Sequence, residues 1–309
     1  MTLALTVKEV TDERLGHCAL LENEGIEIMV TLDYGPRIVS VHREGEPNLI
    51  YNNSTPELQR NHGHKMRITL EKSTNPIYCD DLPVRYIPLS DGVSFVQTLT
   101  EPAQLELTMD IVFSTDIGSF MVVHGAMNKS LEDIKLSIYT ETPFCNEGFV
   151  FIPQSNIHEK EKPSRVLTLF DNAGWNDKRL FIGNQYVTVN GNVLETEDNG
   201  EYQLVDADLY APRLKIGVNN TAGFCGYLLN GHSLIKRYVH NRNALYPFNS
   251  CSAFATANDG YLSIQNTGPF YITGPGESAR HIESWIFAEY PEKIPPRCED
   301  EIAAFINSI

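Results

Sequence analysis

Apolar and polar residues alternate along most of this chain, and the alternation predicts strands. In residues 105–113, Leu105, Leu107, Met109, Ile111 and Phe113 fall on one face and Glu106, Thr108 and Asp110 on the other, because successive strand side chains point to opposite sides. Ile26, Ile28, Val30 and Leu32 do the same. Further strands are predicted at 37–43, 94–100, 120–128, 135–140, 165–170, 185–190, 214–219, 223–229 and 281–288. Turn residues separate them, as in Asp33-Tyr34-Gly35-Pro36, Asn190-Gly191-Asn192, Asn258-Asp259-Gly260 and Gly274-Pro275-Gly276. Helical spacing is convincing only at the end of the chain. There Pro295-Pro296 and the acidic run Glu299-Asp300-Glu301 precede Ile302, Phe305, Ile306 and Ile309. Many short strands with one short C-terminal helix predict an all-β sandwich or barrel. With no Pro/Ser-rich linker and no fixed-period repeat, the expectation is one domain over residues 1–309. Residues 156–164 read as a charged loop and 192–208 as an acidic connection.

The stretch 230–289 carries polar residues at strand spacing. Tyr261, Ser263 and Gln265 share one face against Leu262 and Ile264, and Lys236, Tyr238 and His240 oppose Ile235 and Val239. An antiparallel sheet lines a face this way where that face meets water or a polar ligand. A carbohydrate groove is the leading reading, and a solvated face is the alternative.

The 309 residues suffice for a large core. A net charge of −16 argues against a nucleic-acid backbone and an anionic membrane surface, and suits a neutral ligand. The N-terminal segment lacks a basic leader followed by an apolar run, and no stretch of 18 apolar residues exists. Cys18, Cys79, Cys145, Cys225, Cys251 and Cys298 are scattered without a C-x-x-C pair. Reduced thiols in a cytoplasm are therefore expected, and no cofactor or metal. The patterns of phosphate-binding loops, dinucleotide fingerprints, nucleophile elbows and zinc proteases are missing. Oligomeric state is left open.

Several blocks together resemble the galactose mutarotase-like superfamily, which includes the aldose 1-epimerases. They are LENEGIEIMVTLDYGPRIVSVHREGEPNLIY at 21–51, NHGHKMRITLE at 61–71, GWNDKR at 174–179, LKIGVNNTAGFCGYL at 214–228, IKRYVHNRNALYPFNSCS at 235–252 and IQNTGPFYITGPGESARHIESW at 264–285. Their order matches the family's, and they span most of the chain. The resemblance implies a β-supersandwich whose concave sheet holds a sugar. In the epimerases a late-strand glutamate is the base, and Gln265 stands in the corresponding slot here. A glutamine holds a hydroxyl but accepts no proton at neutral pH.

Mutarotation requires a base for the anomeric hydroxyl and an acid for the ring oxygen, and a histidine with a carboxylate suits both. The matched block makes His64 and Glu71 the first catalytic candidates, with Asp177 as a further carboxylate. Seven residues separate His64 from Glu71, so a turn or bent strand is needed to bring them onto one ligand. The bland reading of His64 is a loop histidine at the surface. His124 and His158 are substitutes for it as the acid. His62 and His64 could share a metal, but spacing shows no third ligand. Substrate-binding candidates are Arg37, Trp175, Arg179, Lys236 and Gln265. Trp175 offers a stacking face, and Arg179 beside Asp177 offers a planar grip on two hydroxyls. Arg37 contacts ligand or caps loop carbonyls, the second being favoured. Lys236 and Arg237 face opposite ways, so one alone enters a groove. His240 and Tyr246 are weaker candidates. The expected function is an aldose 1-epimerase-like protein acting on a mono- or short oligosaccharide. The alternatives are a non-catalytic sugar binder and a glycan lyase or hydrolase on the same fold.

Overall fold

A computed structural model of the chain describes residues 5–52, 62–71, 76–77, 82–101, 103–113, 118–154, 167–169, 174–191, 193–196, 202–205, 213–258, 260–290 and 294–309. Cys79 and His158 lie outside these residues, as does most of both predicted charged connections. Strands dominate, as the alternation predicts. The first ten are β1 (Thr6–Asp12), β2 (Gly16–Asn23), β3 (Ile26–Thr31), β4 (Ile38–Arg43), β5 (Lys65–Leu70), β6 (Arg85–Pro88), β7 (Gly92–Leu99), β8 (Leu105–Phe113), β9 (Ser119–Asn128) and β10 (Ile134–Cys145). There follow β11 (Phe149–Pro153), β12 (Leu167–Leu169), β13 (Leu180–Ile182), β14 (Tyr186–Asn190), β15 (Val193–Thr196), β16 (Tyr202–Val205), β17 (Leu214–Val218) and β18 (Phe224–Leu229). The last are β19 (His232–Tyr238), β20 (Ala253–Asn258), β21 (Tyr261–Thr267), β22 (Tyr271–Thr273) and β23 (Ser278–Glu289). The C-terminal helix, Glu299–Ile306, buries Ile302 and Phe305, as its spacing requires. Among the described residues no helix is long and apolar enough to cross a membrane.

The chain divides into two compact units. The first comprises Met1–Pro143, Asn243–Pro247 and Thr267–Ile286, and the second Phe144–Arg242, Phe248–Asn266 and Phe287–Ile309. In the first unit β1 to β4 form an antiparallel meander. β6, β7, β8, β9 and β23 are neighbours in that order in a second sheet. β10 pairs with β5 along Leu136–Glu141 and with β22 along Ile134–Leu136. An apolar core gathers Met66 and Ile68 of β5, Leu136 and Ile138 of β10, and Leu105, Leu107, Ala126 and Ala279 of the β8–β9–β23 layer. The inward face of β8 is the one its alternation marks.

In the second unit one antiparallel run orders β13, β14, β11, β18 and β19, and another β12, β17, β20 and β21. β11 was not among the predicted strands. Its text, FVFIP, has no alternation, and all five residues are buried, which is how a strand covered on both faces reads. The helix docks through Phe305 on Tyr290, ring centroids 5.4 Å apart. Its Glu299 carboxylate accepts backbone N–H bonds from Asn184, Gln185 and Tyr186 at 3.0, 2.6 and 2.8 Å. That carboxylate occupies the turn between β13 and β14.

Candidate functional site

The β5–β10 pair of the first unit wears two different faces. In the register Lys65 stands opposite Glu141, Arg67 opposite Tyr139, and Thr69 opposite Ser137. These six therefore share one face. The other face carries Met66, Ile68, Ile138 and Thr140, and its apolar members enter the core. The polar face is also withdrawn from water: Lys65, Thr69, Ser137, Tyr139 and Glu141 are buried and Arg67 is partly so. Arg67 Nη2 lies 2.7 Å and Lys65 Nζ 3.9 Å from Glu141 Oε2. Two cations, a carboxylate, two aliphatic hydroxyls and a phenol thus line one strand pair.

Behind this face, where β5 begins, polar groups replace the apolar core. His64 Nε2 and His124 Nε2 are 2.9 Å apart, and His64 Nδ1 lies 2.9 Å from Thr142 Oγ1. Glu283 accepts from the Thr140 hydroxyl at 2.6 Å and from the Trp285 indole at 3.0 Å. His281 Nε2 is 3.3 Å from Glu283 Oε1. The Trp285 ring meets His64 edge-on at 4.8 Å between centroids. His64, His124 and Glu283 are fully buried, so His64 is no surface loop histidine. β9 and β23 place His124 and His281 directly opposite each other, which is how residues so distant in sequence meet here.

β4 leads into the same corner. Ile38 and His64 exchange both backbone hydrogen bonds, at 3.0 and 2.8 Å, and Arg37 enters beside them. Arg37 is buried, its guanidinium sits 5.2 Å from the Tyr34 ring centroid, and Nη1 donates to the His62 carbonyl at 3.4 Å. That bond is of the carbonyl-capping kind. Burial pushes the Tyr34 phenol up to about 12 against the lowering by Arg37, so it keeps its proton. The phenol meets His62 Nε2 at 2.9 Å. Gly63, at φ +71°, breaks strand alternation between the two histidines, and His62 and His64 turn to separate partners.

Glu71 is not gathered at this place. Glu71 closes β5 at the far end from His64, about 20 Å away along an extended strand. It is half exposed and ion-paired with Lys135. A straight strand, with no intervening turn, keeps His64 and Glu71 off one ligand. Asp177, Trp175, Arg179, Lys236 and Gln265 belong to the second unit. Asp177 takes Arg179 Nε and Nη2 on its two oxygens at 3.0 and 2.8 Å, and the Arg179 backbone N–H at 2.9 Å. Burial raises the Asp177 pKa, but these bonds outweigh it and hold the carboxyl below its ordinary value. The two side chains grip each other, and Trp175 is half exposed. Lys236 is fully buried, while Arg237 is exposed with Nη2 on the Ile309 carbonyl at 3.3 Å. Val239, which alternation sets on the face of Ile235, lies just past the end of β19 and is 85% exposed. Gln265 is buried and donates to Ser263 Oγ at 3.3 Å.

No model of a known protein family matches the chain, and no curated protein does. Solved structures do match. A galactose mutarotase-like protein from Clostridium acetobutylicum superposes with a TM-score of 0.56 at 8% identity, over 94% of this chain and 99% of that one. Another from Lactobacillus casei gives 0.55 at 11% identity over 87% and 99%. A galactose mutarotase related enzyme from Lactobacillus acidophilus gives 0.54 at 12% identity over 94% and 100%. The chain has the galactose mutarotase-like fold.

On this fold the polar face of β5–β10 comes from residues that are not among the candidates the sequence offers: Lys65, Arg67, Tyr139 and Glu141. Their signal was present. KMRIT and KLSIYTE place Lys65, Arg67 and Thr69, and Lys135, Ser137, Tyr139 and Glu141, at every second position. What the text lacked was the pairing of β5 with β10, which brings the two sets onto one surface.

Proposed function

We propose that this chain binds a mono- or short oligosaccharide and catalyses acid/base chemistry at its anomeric centre, as an aldose 1-epimerase-like isomerase. The observation that carries the reading is the polar face of β5–β10, with Glu141 held between Arg67 and Lys65. Sugar hydroxyls both donate and accept, and this face supplies cationic donors, a carboxylate acceptor and hydroxyls that do both. Glu141 takes the anomeric hydroxyl proton while Lys65 gives one to the ring oxygen. The bond from the anomeric carbon to the ring oxygen breaks, and closure on either side of the carbonyl interconverts the anomers. Arg67 holds the Glu141 carboxylate in place. Arg37 supports the corner from which Lys65 departs, and His64 buttresses β5 from the core. The fold shared with three galactose mutarotase-like structures supports the reading. The test is polarimetry or NMR of freshly dissolved α-glucose, α-galactose and a wider sugar panel. Equilibration faster than in buffer is expected. Buffer rates across the panel with folded protein would sink the catalytic claim.

One observation favours a second reading. Gln265 occupies the slot in which the resemblance places a basic glutamate, and an amide binds without taking a proton. That reading predicts saturable sugar binding by calorimetry and no acceleration of mutarotation.

A further inference from the structure

We propose that His64, His124 and Glu283 form a buried binding site for a divalent transition metal, zinc by preference. The geometry of the ring nitrogens leads there. His124 Nδ1 lies 3.3 Å from the His281 main-chain carbonyl. A carbonyl has only lone pairs to offer, so the proton of that bond sits on Nδ1. A neutral His124 then aims a bare Nε2 at His64 Nε2, 2.9 Å away. His64 Nδ1 meets the Thr142 hydroxyl, which accepts as readily as it donates. With the Thr142 hydroxyl donating to Nδ1, His64 Nε2–H donates to His124 Nε2, and a metal ion would take the place of that proton. Once that proton is displaced, two imidazole lone pairs converge on one point. Ligands about 2.0–2.1 Å from a tetrahedral zinc ion lie about 3.3 Å apart, so the 2.9 Å contact opens slightly to admit the ion.

The Glu283 carboxylate completes the set, and all three ligand atoms lie within 4.8 Å of one another. Drawing Glu283 inward closes the site. Each ligand is steered from behind: His64 by Thr142, His124 by the His281 carbonyl, and Glu283 by Thr140 and Trp285. Such outer hydrogen bonds fix tautomer and direction at metal sites. Two imidazoles and one carboxylate suit zinc, which leaves a fourth position for a water or hydroxyl ligand. The metal would pin the start of β5 to β9 and β23, and so fix the strand that presents Lys65 and Arg67 on its other face. The site uses none of the groups proposed to touch sugar, so it stands or falls apart from that reading.

The experiment is elemental analysis of the full chain, purified without metal-affinity steps and also refolded with excess Zn²⁺ or Co²⁺, then desalted. About one equivalent per chain should be retained, and the cobalt form should show the visible bands of a low-coordinate nitrogen/oxygen site. Chelation should lower the thermal midpoint by roughly 5–10 °C. His64→Asn and His124→Asn should lose the bound metal. Imidazole ¹⁵N shifts of the zinc-refolded wild type give a reading that needs no variant, and both rings should carry their proton on Nδ1. A proton on His64 Nε2 in that sample would overturn the proposal. Retention of well under one equivalent, or retention unchanged in both variants, would do the same.

Discussion

Two strand pairs of this protein carry polar residues at every second position, and they use them differently. In the first unit β5–β10 sets Lys65 and Arg67 against Glu141. In the second unit β20–β21 carries Ser263 and Gln265, joined by a neutral hydrogen bond of 3.3 Å. Both faces are withdrawn from water. Alternation therefore identifies which residues share a face, and it does not distinguish a face that meets solvent from one enclosed by the fold. What separates the two pairs is charge. A neutral face is satisfied by hydrogen bonds alone, whereas an enclosed ionised carboxylate requires cations beside it.

The largest expected effect breaks that comparison directly. Glu141→Gln takes the carboxylate from the first face and leaves its two cations, Lys65 and Arg67, without it. Mutarotation should fall by about 10²–10⁴-fold, measured by polarimetry on protein whose circular dichroism is unchanged. Wild-type turnover in this variant would remove Glu141 from the chemistry.

Asp177→Asn tests the charged pair of the second unit. Replacing two charge-assisted bonds to Arg179 with weaker ones should cost about 1–3 kcal/mol in urea unfolding at neutral pH. The folded-state pKa of Asp177 is depressed. Its contribution is therefore fully present above the unfolded value of about 3.9 and is lost as pH falls toward the folded one. The gap between wild type and variant should close below about pH 4. A gap that stays constant to pH 3 would show that the pair's charge contributes nothing.

A smaller loss is expected for Glu299→Ala. Three backbone N–H groups in the β13–β14 turn lose their acceptor, and because water replaces it there the cost should be about 1–2 kcal/mol. Amide exchange should quicken at Asn184, Gln185 and Tyr186 ahead of the rest of the unit. The smallest effect belongs to Val239→Lys. With Val239 at 85% exposure, stability should shift by no more than about 0.5 kcal/mol. A loss of several kcal/mol would return this residue to the core face that alternation alone assigns.

Much of the fold was legible because strand periodicity is local. β8, β9, β10 and β23 all lie where alternation predicts, and the C-terminal helix follows its acidic first turn. β11 was missed because it is covered on both sides, which erases the period. Of the residues packed around the start of β5, the text singles out His64 and Arg37, and it names His124 only as a substitute. It paired His64 with Glu71, which sits at the other end of the same strand and bonds Lys135.

The sequence by itself determined the class of structure, since which side chains share a face depends only on neighbours two residues away. It also determined the acidic charge and the ordered blocks that resemble the mutarotase-like family. Tertiary structure decided the rest. His64 meets His124 across 60 residues and lies with Glu283 in one cluster, while Lys65 meets Glu141 across a strand pairing. Contacts of that span depend on which strands become neighbours, and a strand's own residues encode its faces without naming the strand it will lie beside.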